Sequence, residues 1–521
     1  MSRVEVIGAG LAGCEAAIQC ARRGVPVRLL EMRPAKMTEA HETGDVAELV
    51  CSNSLKSNEP ENAHGLLKEE LRVLGSALLE CAERAGVPGG KALVVDRRKF
   101  SAEVQSELSR LGVDIERSEV NSLPPMTAWY RARSVVSDPH QPTVDLAENR
   151  GQPHGGSRRA LEGTDPIFGP VGAGITVIAT GPLTSTSMAG ALQALLGTEH
   201  LFFYDAIAPI VSAESLDMSR VFEGSRYDTG SDYLNCPMTQ EEYDRFVTAL
   251  LEAELYPLHE FEKPRFFEGC LPVEEIARRG RLALAFGPMK PVGLVDPRTG
   301  RRPFAVVQLR RENVEGTMHN LVGFQTRLKQ GEQERIFKMI PGLEGATFLG
   351  FGSIHRNTYL DSPKVLLPTL QTRASPDLLV AGQLAGVEGY VESMGAGLIA
   401  GINAARLAMG DEPVEVPRDM MLGSLLAYIS AQRGLENPGQ SPAASTRPQS
   451  ATVPVFQPMN ANFGLLPRLE NPGQSPAAKT RPQSGTVPVF RLRGRDKRSA
   501  MAGRALEAAR GFALTAKQKR A

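Results

Sequence analysis

Val4-Glu5-Val6-Ile7-Gly8-Ala9-Gly10-Leu11-Ala12-Gly13 is a short apolar run closing on a G-x-G-x-x-G turn, and an Ala-rich helical stretch follows at once. Residues 4–7 read as a buried parallel strand. In the turn, Gly8 makes the tight bend, Gly10 lets the backbone approach a pyrophosphate, and Gly13 lets the helix lie close to the strand. Ala9, Leu11 and Ala12 supply the backbone between them, and the helix N-terminus faces the phosphates. A second apolar strand, residues 25–30, ends in Glu31, where a carboxylate can accept hydrogen bonds from a ribose hydroxyl. Glycines, strand, helix and acid in one register predict a dinucleotide-binding βαβ unit.

Outward from this unit, strands and helices alternate to about residue 120, which implies a parallel sheet and an α/β fold. From 129 to 174 the pattern dissolves into Pro, Gly, Arg and Ser and reads as a long loop or insertion. Order returns at Ile175-Thr176-Val177-Ile178-Ala179-Thr180-Gly181, an apolar strand closing on a glycine turn. A strand ending in Ala-Thr-Gly resembles those of two-dinucleotide-fold flavoproteins. Residues 201–320 are richer in aromatic and mixed polar side chains and read as an inserted α+β domain. Nucleotide-fold texture resumes at Asp377-Leu378-Leu379-Val380-Ala381-Gly382-Gln383, ahead of a glycine-rich helix. The cofactor domain is therefore discontinuous, residues 1–200 and 321–433, its last strand arriving late. In residues 434–521 a Pro-rich decapeptide, Leu435-Glu436-Asn437-Pro438-Gly439 onward, recurs from Leu469 and reads as duplicated linker.

The 521 residues are enough for two or three domains. No apolar run reaches the roughly 18–20 residues of a membrane span, no signal peptide precedes the first strand, and the six scattered cysteines show no metal-binding spacing. These features predict a protein of the reducing cytoplasm with no membrane segment and no metal. Lys plus Arg equals Asp plus Glu at 59 each, so total charge draws no polyanion. The stretch from Arg491 is strongly basic; it reads either as a phosphate-contacting tail or as a solvated helix end.

Two thiols stand in suggestive places. Cys51 lies among Ser52, Asn53 and Ser54 with Lys56 beyond, and a nearby cation or helix end would favour its thiolate. A cysteine is also commonly a small buried apolar residue, but these polar neighbours favour a working thiol. Cys236 precedes a helix with a capping box, Thr239 and Glu242, whose positive end favours a thiolate. For Cys236 the location alone does not separate the two readings. Cys14, Cys20 and Cys81 fall in apolar helices and read as core. His355, in a glycine-bounded stretch, either stacks on a flat ring or caps a turn, and chain position favours the turn.

Several long runs together resemble one family. They include Leu29-Leu30-Glu31-Met32-Arg33-Pro34, residues 48–55, 179–185 and 203–211, Asn235-Cys236-Pro237-Met238, residues 286–294, His355-Arg356-Asn357-Thr358, residues 381–401 and 456–465. The resemblance is to the folate- and FAD-dependent tRNA (uracil-5-)-methyltransferases, relatives of the larger glucose-inhibited division protein A. It implies FAD bound through Gly8, Ala9, Gly10, Leu11, Ala12, Gly13, Glu31, Gly181, Gly382 and Gln383. It further implies 5,10-methylenetetrahydrofolate and NAD(P)H as co-substrates, and the T-arm of tRNA as partner. The family's two essential cysteines match Cys51 and Cys236. Cys236 is taken as the nucleophile that adds to uracil C6 and Cys51 as a base or flavin-side thiol, with the reverse assignment left open. His355 matches the histidine that stacks on the folate pterin. Residues 129–174 and the Pro-rich copies depart from the family pattern, and Gln383 stands where many flavoproteins carry an aspartate. A wobble-uridine-modifying flavoprotein and a non-catalytic RNA-binding flavoprotein are the rival readings.

Overall fold

Strand Val4–Ile7 is buried along its whole length because its apolar side chains face packed layers on both sides of a sheet. The computed structural model describes residues 2–123, 174–197, 201–228, 230–257, 271–431, 456–469 and 494–517. Residues 129–173 of the atypical segment, the first Pro-rich copy, the second beyond Leu469, Cys270, and the basic residues Arg491, Arg493, Lys519 and Arg520 lie outside these. The sheet has five strands in the order Leu378–Val380, Ile175–Ile178, Val4–Ile7, Val27–Glu31, Ile115–Arg117, all parallel. Its edge strand thus comes from a part of the chain two hundred residues after its neighbour. Helix Leu11–Arg22 packs along helix Tyr390–Met409. The approach is close enough that a Cβ on Gly397 would sit 2.3 Å from the Ala12 carbonyl oxygen.

The chain leaves this domain through strand Leu201–Ala206 and returns through Ile354–Tyr359, and these two strands pair antiparallel with His355 opposite Asp205. Between them stands a six-stranded sheet in the order Phe222–Glu223, Tyr233–Met238, Ala305–Arg311, Met318–Leu321, Ile210–Ser212, Phe348–Gly350. Each neighbouring pair of its strands is antiparallel. It has a core of its own, in which Phe324 lies between Phe246 and Phe337 at 6.0 and 5.7 Å. The insertion therefore extends past residue 320. Ile336 and Phe337 of helix Gln330–Phe337 fill its core, and Phe348–Gly350 is its edge strand. A three-residue strand with a register shift carries no period-two pattern, which is why sequence texture placed the boundary too early.

Segment 456–469 docks on the loop before helix Tyr390–Met409. The Met459 amide donates to the Gly386 carbonyl at 3.0 Å, and the Glu388 amide to the Met459 carbonyl at 2.8 Å. The basic tail forms helix Gly494–Lys517, which buries Met501, Ala505, Ala509 and Phe512 and packs on helix Ala63–Leu74. Among the described residues no helix is long and apolar enough to cross a membrane. Nor do three or more His, Cys, Asp or Glu side chains among them gather into a metal site.

Candidate active site

Three glycine turns converge at the C-terminal ends of neighbouring parallel strands, the place where open α/β sheets bind ligands. Gly8, Ala9 and Gly10 follow Val4–Ile7, Gly181 follows Ile175–Ile178, and Gly382 and Gln383 follow Leu378–Val380. Helix Leu11–Arg22 begins on Gly10 with no side-chain cap, which leaves its first N–H groups for a ligand. Gly13 is required by space: a Cβ there would lie 1.8 Å from the Gly8 carbonyl oxygen. Leu11 and Ala12 are buried, and a Cβ on Gly382 would meet that of Ala12 at 2.8 Å. A small cleft beside the turn is lined by Gly8, Glu31, Met32, Glu119, Thr180 and Ser185. These residues fit the adenosine and pyrophosphate half of a dinucleotide.

Glu31 has more partners than a ribose. One carboxylate oxygen accepts the Ala9 N–H at 2.8 Å, and the other accepts the backbone N–H and Nε of Arg33, each at 3.0 Å. Burial pushes this carboxyl up, but the charge and hydrogen bonds of Arg33 outweigh it and hold the group below the usual range. Arg33 also reaches Glu48 at 2.9 Å. A buried chain of Glu31, Arg33 and Glu48 thereby ties the glycine turn to the segment that carries Cys51. At the other turn the Gln383 amide donates to Glu388 at 2.7 Å, so a carboxylate is present in this loop although residue 383 is not an acid.

Cys51 is half-exposed, and its segment is held by groups from both domains. Arg97 donates to the carbonyls of Leu49 and Val50 at 2.9 and 3.2 Å and pairs with Glu312 of the insertion at 2.8 Å. From the insertion, Arg310 donates to Asn53 Oδ1 at 2.8 Å and Ser52 Oγ at 2.9 Å. Both guanidiniums stay cationic. Tyr390, the first residue of helix Tyr390–Met409, completes the site, because its hydroxyl oxygen lies 3.0 Å from Cys51 Sγ. That oxygen accepts the backbone N–H groups of Cys51 and Ser52 at 2.9 and 3.2 Å. With both lone pairs taken, the phenol proton is directed at the sulfur. Burial, and after it the charge of Cys51, pushes the Tyr390 hydroxyl well above the usual phenol range, so at neutral pH it is a donor and not a base.

The structure does not bring Cys236 to this place. The capping box of Thr239 and Glu242 forms as read, but Cys236 sits in strand Tyr233–Met238 opposite Val307, both fully buried in the core of the insertion. Asn235 and Tyr233 lie on the other face of the strand, opposite Gln308 and Arg310, and it is Arg310 that touches the Cys51 segment. Burial, and after it Glu344, pushes the Cys236 thiol up, so the expectation of a thiolate favoured by the helix start is corrected. The sequence showed the helix end but not which face of the preceding strand the sulfur takes. His355 is likewise not in a turn: it lies in strand Ile354–Tyr359, which joins the two domains. Cys14, Cys20 and Cys81 are buried helix residues. Sequence reading missed Tyr390, Arg33, Arg97 and Arg310. Of these only Tyr390 left a signal, as the residue opening a glycine-rich helix after the Gly382 turn.

A parallel sheet with three converging glycine turns, an antiparallel insertion and a thiol at their meeting point defines a dinucleotide-fold flavoprotein with an inserted antiparallel domain. The family model described as glucose inhibited division protein A matches residues 3–412. Two solved structures of GidA from Aquifex aeolicus superpose with TM-scores of 0.56 and 0.57 at 17% and 16% identity. Each superposition covers 82% of this chain, and 67% and 70% of those chains. The methylenetetrahydrofolate--tRNA-(uracil-5-)-methyltransferase of Heliobacterium modesticaldum is 50% identical over 89% of this chain and 92% of its own length. That of Moorella thermoacetica is 50% identical over 90% and 92%. The chain belongs to the methylenetetrahydrofolate--tRNA-(uracil-5-)-methyltransferase family, within the wider group of glucose inhibited division protein A.

Proposed function

We propose that this protein methylates C5 of a T-loop uridine in tRNA, with 5,10-methylenetetrahydrofolate as carbon donor, FAD as carrier and reductant, and NAD(P)H as the source of electrons. The observation that carries the reading is Cys51, half-exposed beside the convergent glycine turns with the Tyr390 hydroxyl 3.0 Å from its sulfur. FAD, when bound, supplies the redox chemistry and the means of carrying the one-carbon unit; Gly8 to Gly13, Glu31, Gly181, Gly382 and Gln383 are the residues that would hold it.

Uracil C5 is a weak nucleophile. A thiolate that adds at C6 forms a C–S bond and pushes the C5–C6 electron pair toward O4, and C5 of the resulting enolate then attacks the one-carbon unit. Loss of the C5 proton to a base lets the one-carbon unit part from its carrier, and a hydride equivalent, which the reduced cofactor fed by NAD(P)H would supply, then completes the methyl group as the C–S bond breaks and returns the thiolate. Cys51 is the thiol suited to this, reversing the assignment taken from sequence. Tyr390 donates to its sulfur, and Arg97 and Arg310 fix its segment from two sides. Cys236 packs the insertion instead. His355 remains the residue proposed to stack on the folate pterin, supported by its His-Arg-Asn-Thr run.

The test is transfer of label. Purified protein is incubated with unmodified tRNA, methylenetetrahydrofolate labelled in its one-carbon unit, and NADPH, and the RNA is then digested. Label in 5-methyluridine of the T-arm is the expected result. Modified wobble uridine, or bound tRNA without label, overturns the reading.

A further inference from the structure

A cleft of about 460 Å³ opens between the two domains, within the range of sites that hold small organic groups. One wall is Ser57, Asn62 and Lys91 of the cofactor domain; the other is Tyr227, Tyr233 and Gln308 of the insertion. The walls are pinned to each other. Asp232 accepts the Gly90 N–H at 2.7 Å, and the Tyr233 hydroxyl donates to the Gly89 carbonyl at 3.0 Å. The cleft adjoins the Cys51 segment on both sides, since Ser57 ends the strand that follows it and Arg310, which grips Ser52, lies two residues past Gln308.

Tyr227 is the unusual element of this cleft. Its ring lines the cleft and is 58% exposed, so its face is open to a ligand there. Its backbone has φ 65°, a left-handed conformation that non-glycine residues rarely adopt. The conformation is held by the Tyr227 N–H donating to the Val292 carbonyl at 3.2 Å, and Lys290 Nζ stands 5.5 Å from the ring centre. A flat π-face with cations around it is the arrangement that stacks nucleic acid bases. The cleft wall also continues outward: Glu61, beside Asn62, lies 3.9 Å from Arg495. There begins helix Gly494–Lys517 with Arg495, Lys497 and Arg498 all exposed. Cations at that helix end, together with Lys290 and with Lys91, which pairs with the cleft residue Glu59 at 2.6 Å, suit a polyanion longer than a single small co-substrate.

We propose that this cleft seats an unstacked nucleotide of the RNA substrate, adjacent to the target uridine, with Tyr227 as its stacking surface and the helix end at Arg495 receiving the backbone phosphates. The proposal rests on the tRNA reading given above and assigns the place where the opened loop is held while its uridine reaches Cys51.

The test uses the flavin-loaded full chain and a T-arm hairpin RNA. Tyr227→Ala weakens hairpin binding, read by fluorescence anisotropy, about tenfold, raises KM for tRNA by a similar factor, and leaves flavin content unchanged. Tyr227→Phe keeps wild-type binding. Replacing Arg495, Lys497 and Arg498 together by Gln weakens binding and flattens its salt dependence. Unchanged hairpin affinity in Tyr227→Ala overturns the proposal, as does a rise in KM for methylenetetrahydrofolate with KM for tRNA unmoved, which makes the cleft a folate subsite. If wild-type protein transfers no label yet Tyr227→Ala still loses the hairpin, the reaction assigned above fails and the RNA cleft stands.

Discussion

The Tyr390 hydroxyl oxygen accepts two backbone N–H groups, from Cys51 and Ser52, and has only its proton left to offer to Cys51 Sγ at 3.0 Å. A hydrogen bond to a charged group contributes about 1.5–3 kcal/mol. Tyr390→Phe removes it and is expected to lower the thiolate fraction, and with it the rate of methyl transfer, by roughly 10- to 100-fold. Alkylation of Cys51 by iodoacetamide at neutral pH should slow in step while flavin content holds. Equal alkylation rates in variant and wild type would remove Tyr390 from the mechanism.

The two cysteines separate in a trapping experiment. Uracil bearing fluorine at C5 cannot lose that substituent as a proton, so a thiolate added at C6 stays attached. Wild-type protein and Cys236→Ala are expected to give a covalent complex with a fluorouracil-containing tRNA, and Cys51→Ala to give none. Cys236→Ala empties a small volume in the core of the insertion and should cost about 1 kcal/mol of stability. A complex formed by Cys51→Ala but not by Cys236→Ala restores the assignment first taken from sequence.

The difference between the two thiols marks what a linear sequence reveals. The glycine turn, its strand and Glu31 are contiguous and periodic, so the dinucleotide unit was legible from residues 4–31 alone. Cys51 stood out through its polar neighbours, and its role as a working thiol is the proposal above. The partners of Cys51 were not, because Arg97, Arg310 and Tyr390 lie 46 to 339 residues away and carry no local pattern. The burial of Cys236 in the insertion was not legible for a related reason. Strand alternation says that Cys236 and Met238 share a face, but which face meets the cofactor domain is decided by Gln308 and Arg310 on the neighbouring strand. His355 looked like a turn because Gly350 and Gly352 precede it. Its pairing with Asp205, 150 residues earlier, makes it a strand.

Glu392 gives a prediction about acid stability. It is 1% exposed, receives His64 at 3.0 Å, and accepts the Ala461 N–H at 3.0 Å, so it anchors the docked segment 456–469. Burial pushes its carboxyl up; the hydrogen bond and charge of His64, with the charge of Lys56, outweigh this and bring it to about 2. The folded value lies below the unfolded one of 4.5, so the stability it lends is full above pH about 4.5 and is lost as pH falls toward 2. That contribution is on the order of 3 kcal/mol. Glu392→Gln is expected to be less stable at pH 7 by a similar amount and to show a flatter loss between pH 5 and 3, measured as denaturant midpoints. Parallel curves for variant and wild type would show that His64 and Lys56 do not hold the charge.

Gly13 decides whether the cofactor can be held. A Cβ at this position would fall 1.8 Å from the Gly8 carbonyl oxygen, with backbone and not a flexible side chain in the way. Relief requires helix Leu11–Arg22 to move off the strand, yet the helix is confined on its other side by Gly397, whose own Cβ would meet Ala12. The strain of Gly13→Ala therefore falls on the Gly8 to Gly10 turn. The Ala9 N–H is held there by Glu31 and moves with it. Overpacking of this kind typically costs 1–3 kcal/mol, which a chain of this size can survive folded. The variant is expected to purify as folded protein with little flavin absorbance, and to regain flavin only at FAD concentrations at least tenfold above those that saturate wild type. Cys51 should remain open to alkylation, since its segment is held by Arg97 and Arg310 and not by the turn alone. Wild-type flavin content in Gly13→Ala would mean that the helix and strand separate more easily than their packing against Gly397 allows.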